Sequence, residues 1–313
     1  MSESYAKSEF MIRAAWMYYI GGQNQNEIAA ELGVSRPVVQ RLIAAAKDEG
    51  VITVGIHHPI ATCLDYAELI KAKYQLTHCL VVPASREEDM VRNVAFGGAQ
   101  MMAQCVGINA VHSIGIGSGM TLKKAVEHFQ PTADTAMQCV ALISAMAMDG
   151  QCNYYDDVPL ILARRVKAKY YQWPAPRYSR SLEDHALWCD NALYHNVTAK
   201  ADASDVIFVG VGALGEDSPI IKDGFISREQ GDALLQAGAA GEILGRFIDT
   251  QGQVVNHEIN DRITSYDIRR CSNARILVAG GREKQVPTLS ALRGGWVNGL
   301  VIDEDNAKWL LTQ

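Results

Sequence analysis

Residues 115–121 of this 313-residue chain, Gly-Ile-Gly-Ser-Gly-Met-Thr, close one apolar run and open a helical pattern. Glycines let backbone approach a ligand closely. A helix N-terminus adds unsatisfied N–H groups and the positive end of the macrodipole, a combination suited to anions. Ser118 and Thr121 contribute hydroxyls. The third glycine of a dinucleotide fingerprint is missing, because position 120 is Met, and no Walker lysine is present. A compact phosphate or a polyol is therefore the expected occupant. Three later stretches read as ends of other strands. Gly210, Gly212 and Gly215 surround one. Gly241-Glu242 is placed at the start of a helix, its carboxylate suited to sugar hydroxyls. Gly280-Gly281-Arg282-Glu283-Lys284 ends another and supplies a cation for phosphate. The candidate ligand contacts are Gly117, Ser118, Gly119, Met120, Thr121, Glu242 and Lys284. Pro174 to Arg180, kept extended by two X-Pro steps, is expected to roof the pocket.

A second kind of recognition is written near the start. In Asn24–Gly50, Asn24 is a good N-cap for a short helix carrying Ile28, Ala29 and Leu32 on one face. Gly33 suits the left-handed reversal, Val34 the buried turn position, and Ser35 the N-cap of a second helix with Pro37 in its first turn. Val39, Leu42 and Ile43 face back to the first helix. The pattern is that of a helix-turn-helix. Its second helix exposes Ser35, Arg36, Gln40, Arg41, Ala44 and Lys47, and we assign DNA contacts to Ser35, Arg36, Gln40, Arg41 and Lys47. Arg forks onto guanine and Gln onto adenine in the major groove. Residues 1–60 hold five Lys/Arg against six Asp/Glu, a net of −1. So weak a basic character makes a lone copy a poor DNA binder, and at least a dimer is expected.

These stretches must be held by two domains, residues 1–58 and 59–313. The composition is 48% hydrophobic and 20% charged, with a net charge of −6, which is ordinary for a globular chain. No basic leader with an apolar core appears, nor a run of 18 apolar residues. Seven scattered cysteines without a C-x-x-C pair read as reduced thiols, neither disulfides nor a zinc site, so a cytoplasmic location is expected and no metal or cofactor is implied. Residues 8–20 form an aromatic helix whose stripe is Phe10, Ala14, Met17 and Tyr18, flanked by Trp16 and Tyr19. The run 51–56 is a wing strand, and His57, His58 and Pro59 are linker. From residue 60, strands (78–84, 110–116, 139–145, 169–173, 205–212, 275–281, 299–303) alternate with helices (62–74, 89–106, 121–129, 157–168, 228–247, 286–293, 304–311). A hairpin at 247–255 turns at Gln251-Gly252. The expected fold is α/β, a doubly wound, mostly parallel sheet with its ligand at the carboxyl ends of the strands.

The order of helix-turn-helix, GIGSGMTL, YYQWPAP, VGVG, DGFIS, GEILGRFID, VAGG and GLVIDEDNA resembles the SorC family of sugar-responsive bacterial transcription regulators over essentially the full length. The resemblance implies an effector domain similar to sugar-phosphate isomerases and deaminases, tetrameric assembly, and control by a sugar, polyol or sugar phosphate. It assigns the Gly117–Thr121 turn, Glu242 and Lys284 to the effector. The chain departs from the pattern at residues 143–150, where bulk around Met146 replaces Gly-Gly, and at Ile302, where Thr is usual. The competing expectation is an isomerase or deaminase with a fused DNA-binding module. Proton shuttling would then fall to Asp156, Asp157 or Glu242, since His112 is read as buried in its strand.

Overall fold

The computed structural model describes residues 3–49, 51–52, 59–108, 111–130, 137–152 and 157–313. The chain divides into two compact units, Met1–His58 and Pro59–Gln313.

Unit 1 contains α1 (Glu3–Tyr19), α2 (Gln25–Leu32) and α3 (Arg36–Asp48). Asn24 starts α2 through a capping box. Its side chain accepts from the Asn26 and Glu27 N–H groups (3.0 and 3.1 Å), and the Glu27 carboxylate accepts the Asn24 N–H at 2.8 Å. Gly33 ends α2 at φ 65°, where a side chain would be strained. Ser35 occupies the N-cap of α3 in extended conformation, yet its hydroxyl makes no capping bond. Ile28, Val39 and Ile43 form the core with Ala14 and Met17, and Ala29, Leu32, Val34 and Leu42 pack against it.

One expectation for this unit is corrected, and a second falls mostly outside the described residues. The buried stripe of α1 is Met11, Ala14, Ala15 and Met17, whereas Phe10, Trp16, Tyr18 and Tyr19 are exposed. Small side chains allow α1 to approach α3 closely, and the four aromatic side chains keep solvent contact from different sides of the helix. Val51 and Ile52 form a bend, with the Ile52 N–H on the Ala46 carbonyl at 3.2 Å. The remainder of the proposed wing, and His57 and His58, lie outside the described residues.

Unit 2 begins with α4 (Pro59–Tyr74), β1 (His78–Val82), α5 (Glu87–Ile108), β2 (Ser113–Ile116), α6 (Met120–His128) and β3 (Gln138–Ala141). Next come α7 (Val158–Arg165), β4 (Lys169–Tyr171), α8 (Leu182–Cys189), α9 (Ala192–Asp202), β5 (Val206–Val209), α10 (Pro219–Lys222) and α11 (Arg228–Gln236). The chain closes with β6 (Gly241–Ile243), β7 (Arg246–Ile248), α12 (Glu258–Asp261), β8 (Ala274–Val278), α13 (Gln285–Arg293), β9 (Gly299–Asp303) and α14 (Glu304–Thr312).

Seven strands form one parallel sheet in the order β1-β9-β8-β5-β2-β3-β4. Its central strands are apolar on both faces because both are covered. Ile114, Ile116, Phe208 and Val278 meet α5, α6 and α7 on one side. Val140, Ile207, Val209 and Leu277 meet α4, α9, α13 and α14 on the other. From β2 the chain winds outward through β3 to β4, then returns beside β2 as β5 and winds the other way. The switch point is therefore the crevice between β2 and β5, where a doubly wound sheet leaves room for a ligand. A third, smaller core of Ile220, Ile226, Leu234, Phe247, Ile259 and Ile263 gathers α10, α11, the β6–β7 hairpin and α12.

The helix expected over 228–247 stops at Gln236. Gly238, at φ 92°, breaks it, and residues 241–248 are a hairpin turning at Leu244-Gly245 (φ 50° and 79°). The hairpin expected at 247–255 survives as a second turn joined by the Ile248–Val254 bridge. The expected strand 299–303 coincides with β9, and the other expected strands are longer than those observed. Helices α8 and α9, which the sequence pattern did not reveal, are each started by a side-chain cap, Ser181 and Asn191. His112 is exposed and precedes β2, so it is not a buried strand residue.

Candidate effector site

A cavity of about 280 Å³ lies over the β2–β5 switch point. Its walls include Ser118, Gly119, Met120, Thr121, Glu242 and Lys284, which the topology gathers from the ends of β2 and β8 and from the hairpin. Gly117 is not among them. Its N–H continues the parallel ladder to the Phe208 carbonyl (2.9 Å), and a Cβ there would come within 2.7 Å of the Leu244 side chain. Gly117 is thus a packing position below the floor, and its N–H is committed to the sheet.

The backbone leaves the sheet at Ser118. Gly119 is the N-cap of α6 at φ 118°, and its carbonyl accepts the Lys123 N–H at 2.9 Å. The N–H groups of Met120, Thr121 and Leu122 precede the first intrahelical bond, and these three residues line the cavity.

Glu242 belongs to β6 and not to a helix start. Reciprocal bonds between Gly212 and Glu242, 2.9 Å each, clip the hairpin onto the chain leaving β5. The Glu242 carboxylate also accepts the Gly245 N–H at 2.6 Å. A Cβ at Gly212 would meet that carboxylate, so a side chain there would have to push Glu242 from its present position. Behind the turn, buried Tyr178 donates to the Gly245 carbonyl at 2.5 Å. Burial pushes its hydroxyl well above the usual tyrosine range, and the nearby Glu242 charge adds to the shift, so Tyr178 remains a donor. Asn260 bonds Phe247 and Val255 with both ends of its amide, which stiffens the hairpin further.

Lys284 ends a 3₁₀ turn (Arg282–Lys284) after β8. The turn is pinned by buried residues that the sequence alone did not single out. The Asp303 carboxylate accepts the Gly281 N–H (3.0 Å), and the Asn306 amide donates to the Gly281 carbonyl (2.8 Å).

Further walls are Val91, Ile143, Arg177, Pro219, Ile220, Asp223 and Glu283. Of the 143–150 stretch, Ile143 lines the cavity and Met146 does not. From the 174–180 stretch, Arg177 enters the wall and Arg180 stays outside. No histidine lines the cavity among the described residues. Asp157 is held by Lys123 at 3.3 Å, away from the cavity, and Asp156 lies outside the described residues. Among the described residues there is also no group of three His, Cys, Asp or Glu fit to hold a metal ion, and no helix long and apolar enough to cross a membrane.

In unit 1, Ser35, Arg36, Gln40, Arg41 and Lys47 are all exposed on or beside α3. Gln25, at the start of α2, accepts from Arg36 Nε at 3.3 Å.

Residues 58–312 match the family described as a putative sugar-binding domain. The chain belongs to this family, the SorC type. Transcriptional regulator LsrR of Escherichia coli K12 is 30% identical over 313 residues, covering 97% of this chain and 95% of the relative. Erythritol catabolism regulatory protein EryD of Brucella abortus is 26% identical over 310 residues, covering 98% of each. The full-length sorbitol operon regulator SorC from Klebsiella pneumoniae shares the fold, with a TM-score of 0.73 at 24% identity, over 97% of this chain and 99% of that one. This SorC-family chain is accordingly a transcription regulator with a sugar-binding domain. The isomerase expectation is set aside, since the named relatives are regulators and not enzymes.

Proposed function

We propose that unit 1 binds operator DNA through α3, and that a small polyol, sugar or sugar phosphate seated at the β2–β5 switch point controls that binding. The observation that carries this reading is the cavity itself, which combines the α6 N-terminus, the Glu242 carboxylate and Lys284. Phosphate suits the helix N-terminus with Lys284, and hydroxyls suit Glu242. The names of the relatives, an erythritol regulator and a sorbitol operon regulator, support a polyol or its phosphate as the effector class and a carbohydrate operon as the target. Such work is done on the bacterial chromosome, in the cytoplasm.

On α3, Arg36, Gln40 and Arg41 are assigned to base edges or nearby phosphates, and Ser35 and Lys47 to the backbone. The uncapped Ser35 hydroxyl agrees with that role. With DNA enriched from a random duplex library by the wild-type chain, Arg41→Ala is expected to cost about 1–3 kcal/mol, and binding to unselected DNA should change less. Equal affinities of variant and wild type for both DNAs, in a mobility-shift assay, would show that α3 is misassigned.

We further propose that the regulator assembles as a homo-oligomer, a dimer or a tetramer. The net charge of −1 over residues 1–60 gives one copy few phosphate contacts, and paired half-sites multiply them. The exposed Ile12, Trp16 and Tyr19, spaced i, i+4 and i+7, leave an uncovered apolar face on α1. Sedimentation velocity should find at least a dimer with operator DNA present. A monomer throughout, with DNA and without, contradicts the assignment.

A further inference from the structure

Arg177 is 6% exposed and forms part of the cavity wall. Its backbone is tied on both sides, the N–H to the Met146 carbonyl (3.0 Å) and the carbonyl to the Thr264 N–H (3.1 Å). Its guanidinium stacks on Phe225, 3.6 Å from the ring centre, while Nε and Nη2 donate to the Ser144 carbonyl at 3.3 and 3.2 Å. Stacking and the two hydrogen bonds to the Ser144 carbonyl fix the plane of the guanidinium before any ligand arrives. A planar, preorganised guanidinium loses little freedom on meeting an oxyanion.

The sheet order says where that fork stands. Ser144 comes after β3, the neighbour of β2 on one side, about 5 Å away at ordinary strand spacing. Lys284 comes after β8, which is two strands from β2 on the other side, about 10 Å. The α6 N-terminus, continuing β2, thus lies between the two cations in the row of strand ends.

Charge balance makes Arg177 decisive for one class of ligand. Asp223, Glu242 and Glu283 line the same cavity as Arg177 and Lys284. With Lys284 as its only cation the wall would carry a formal excess of two negative charges, and a phosphate monoester brings roughly 1.5–2 more. A neutral polyol needs no such compensation, since carboxylates accept from hydroxyls.

We propose that Arg177 is the second cation of the effector site, gripping the phosphate of a phosphorylated polyol or sugar from the flank opposite Lys284, with Phe225 holding the fork in place. The inference rests on the phosphate reading above and names its recognition residue.

Calorimetry with two matched pairs, erythritol with erythritol 4-phosphate and glucitol with glucitol 6-phosphate, tests it on the full-length chain. Arg177→Gln should weaken the better-bound phosphorylated member by about tenfold or more and its neutral partner by less than about threefold, the scale of a lost charged hydrogen bond. Arg177→Lys, which keeps charge without the fork, should recover part of the loss. Phe225→Leu retains the cation and most of the apolar contact, and should weaken only the phosphorylated member. Retained binding of the neutral member is the control for folding. A residue that merely props the wall would depress both members of a pair equally, and that result, or no change in either, overturns the proposal while leaving the phosphate reading intact. Wild-type preference for the neutral member overturns the phosphate reading, and this inference falls with it.

Discussion

Trp296→Ala is expected to lower the stability of unit 2 by about 3–5 kcal/mol, the usual cost of deleting a fully buried indole. Trp296 is completely buried, and its Nε1 donates to the Gly252 carbonyl at 2.8 Å. Arg269 covers the ring at 4.1 Å. The contact joins the C-terminal end of α13 to the second hairpin turn so closely that a Cβ at Gly252 would approach Gly294 backbone within 2.5 Å. Removing the indole leaves a large void and an unpaired carbonyl, and neither backbone can close in on the other. A domain typically has only about 5–15 kcal/mol in hand, so the loss takes a large share of it. The effect should appear as a lower urea midpoint with an unchanged slope. Trp296→Phe keeps most of the apolar area and loses only the donor, and should cost about 1–2 kcal/mol. The consequence extends to the site, because the strand leading into that turn, β7, pairs with β6, and Phe247 stands opposite Glu242. Folded Trp296→Ala protein should therefore also bind a neutral polyol less well. A stability within about 1 kcal/mol of wild type, with polyol binding intact, would mean that this junction is not what anchors the hairpin.

The features legible in the sequence were those set by local chemistry. The two-sided apolar strands announced a covered parallel sheet, since no partly solvated strand has that pattern. Asn24, Gly33 and Pro37 marked the helix-turn-helix, because caps and turns depend on residues a few positions apart. The glycine-rich exit from β2 was recognisable for the same reason. Failures came where distant packing chose between local options. The 228–247 stretch is rich in Ala, Leu, Glu and Gln, but its glycines permit a break at Gly238, and the Glu242–Gly212 bonds turn residues 241–243 into a strand. In α1 the expected Ala14 and Met17 are buried, but Met11 and Ala15 take the places read for Phe10 and Tyr18. Gly117 seemed open to ligand, but the parallel ladder had already used its N–H.

Arg177 shows the limit most plainly. A stretch ending Arg-Tyr-Ser-Arg gave no means of telling which arginine would be buried. The answer depends on Phe225, Ser144 and Thr264, which are 48, 33 and 87 residues away in the chain. Asp223 and the pins at Asp303 and Asn306 were likewise hidden, being defined by partners in remote elements. Glu242 lines the cavity from a strand of the hairpin, where the sequence placed it at a helix start. A carboxylate beside a strand-end glycine reaches the same cavity from a hairpin as it would from a helix.

Lys284→Ala is expected to weaken a phosphorylated effector by about 1.5–3 kcal/mol, the scale of a hydrogen bond to a charged group, or roughly 10- to 150-fold. The lysine ends a turn whose carbonyl and N–H at Gly281 are fixed by Asn306 and Asp303, so its backbone origin is rigid while the side chain can extend into the cavity. The α6 N-terminus would give a bound phosphate directed N–H donors, and Lys284 would give a point charge that needs no particular orientation. Loss of that charge removes an attraction that exists only when the ligand is ionised. A neutral polyol seated on Glu242 and the Ser118 and Thr121 hydroxyls should be barely affected. Calorimetry with wild type and variant, each against a matched polyol and polyol phosphate, separates the two terms. The difference between the pair should shrink in the variant while the affinity of the neutral member stays constant. Tighter wild-type binding of the neutral member, unchanged in Lys284→Ala, would mean that the loop at the start of α6 holds hydroxyls and no phosphate.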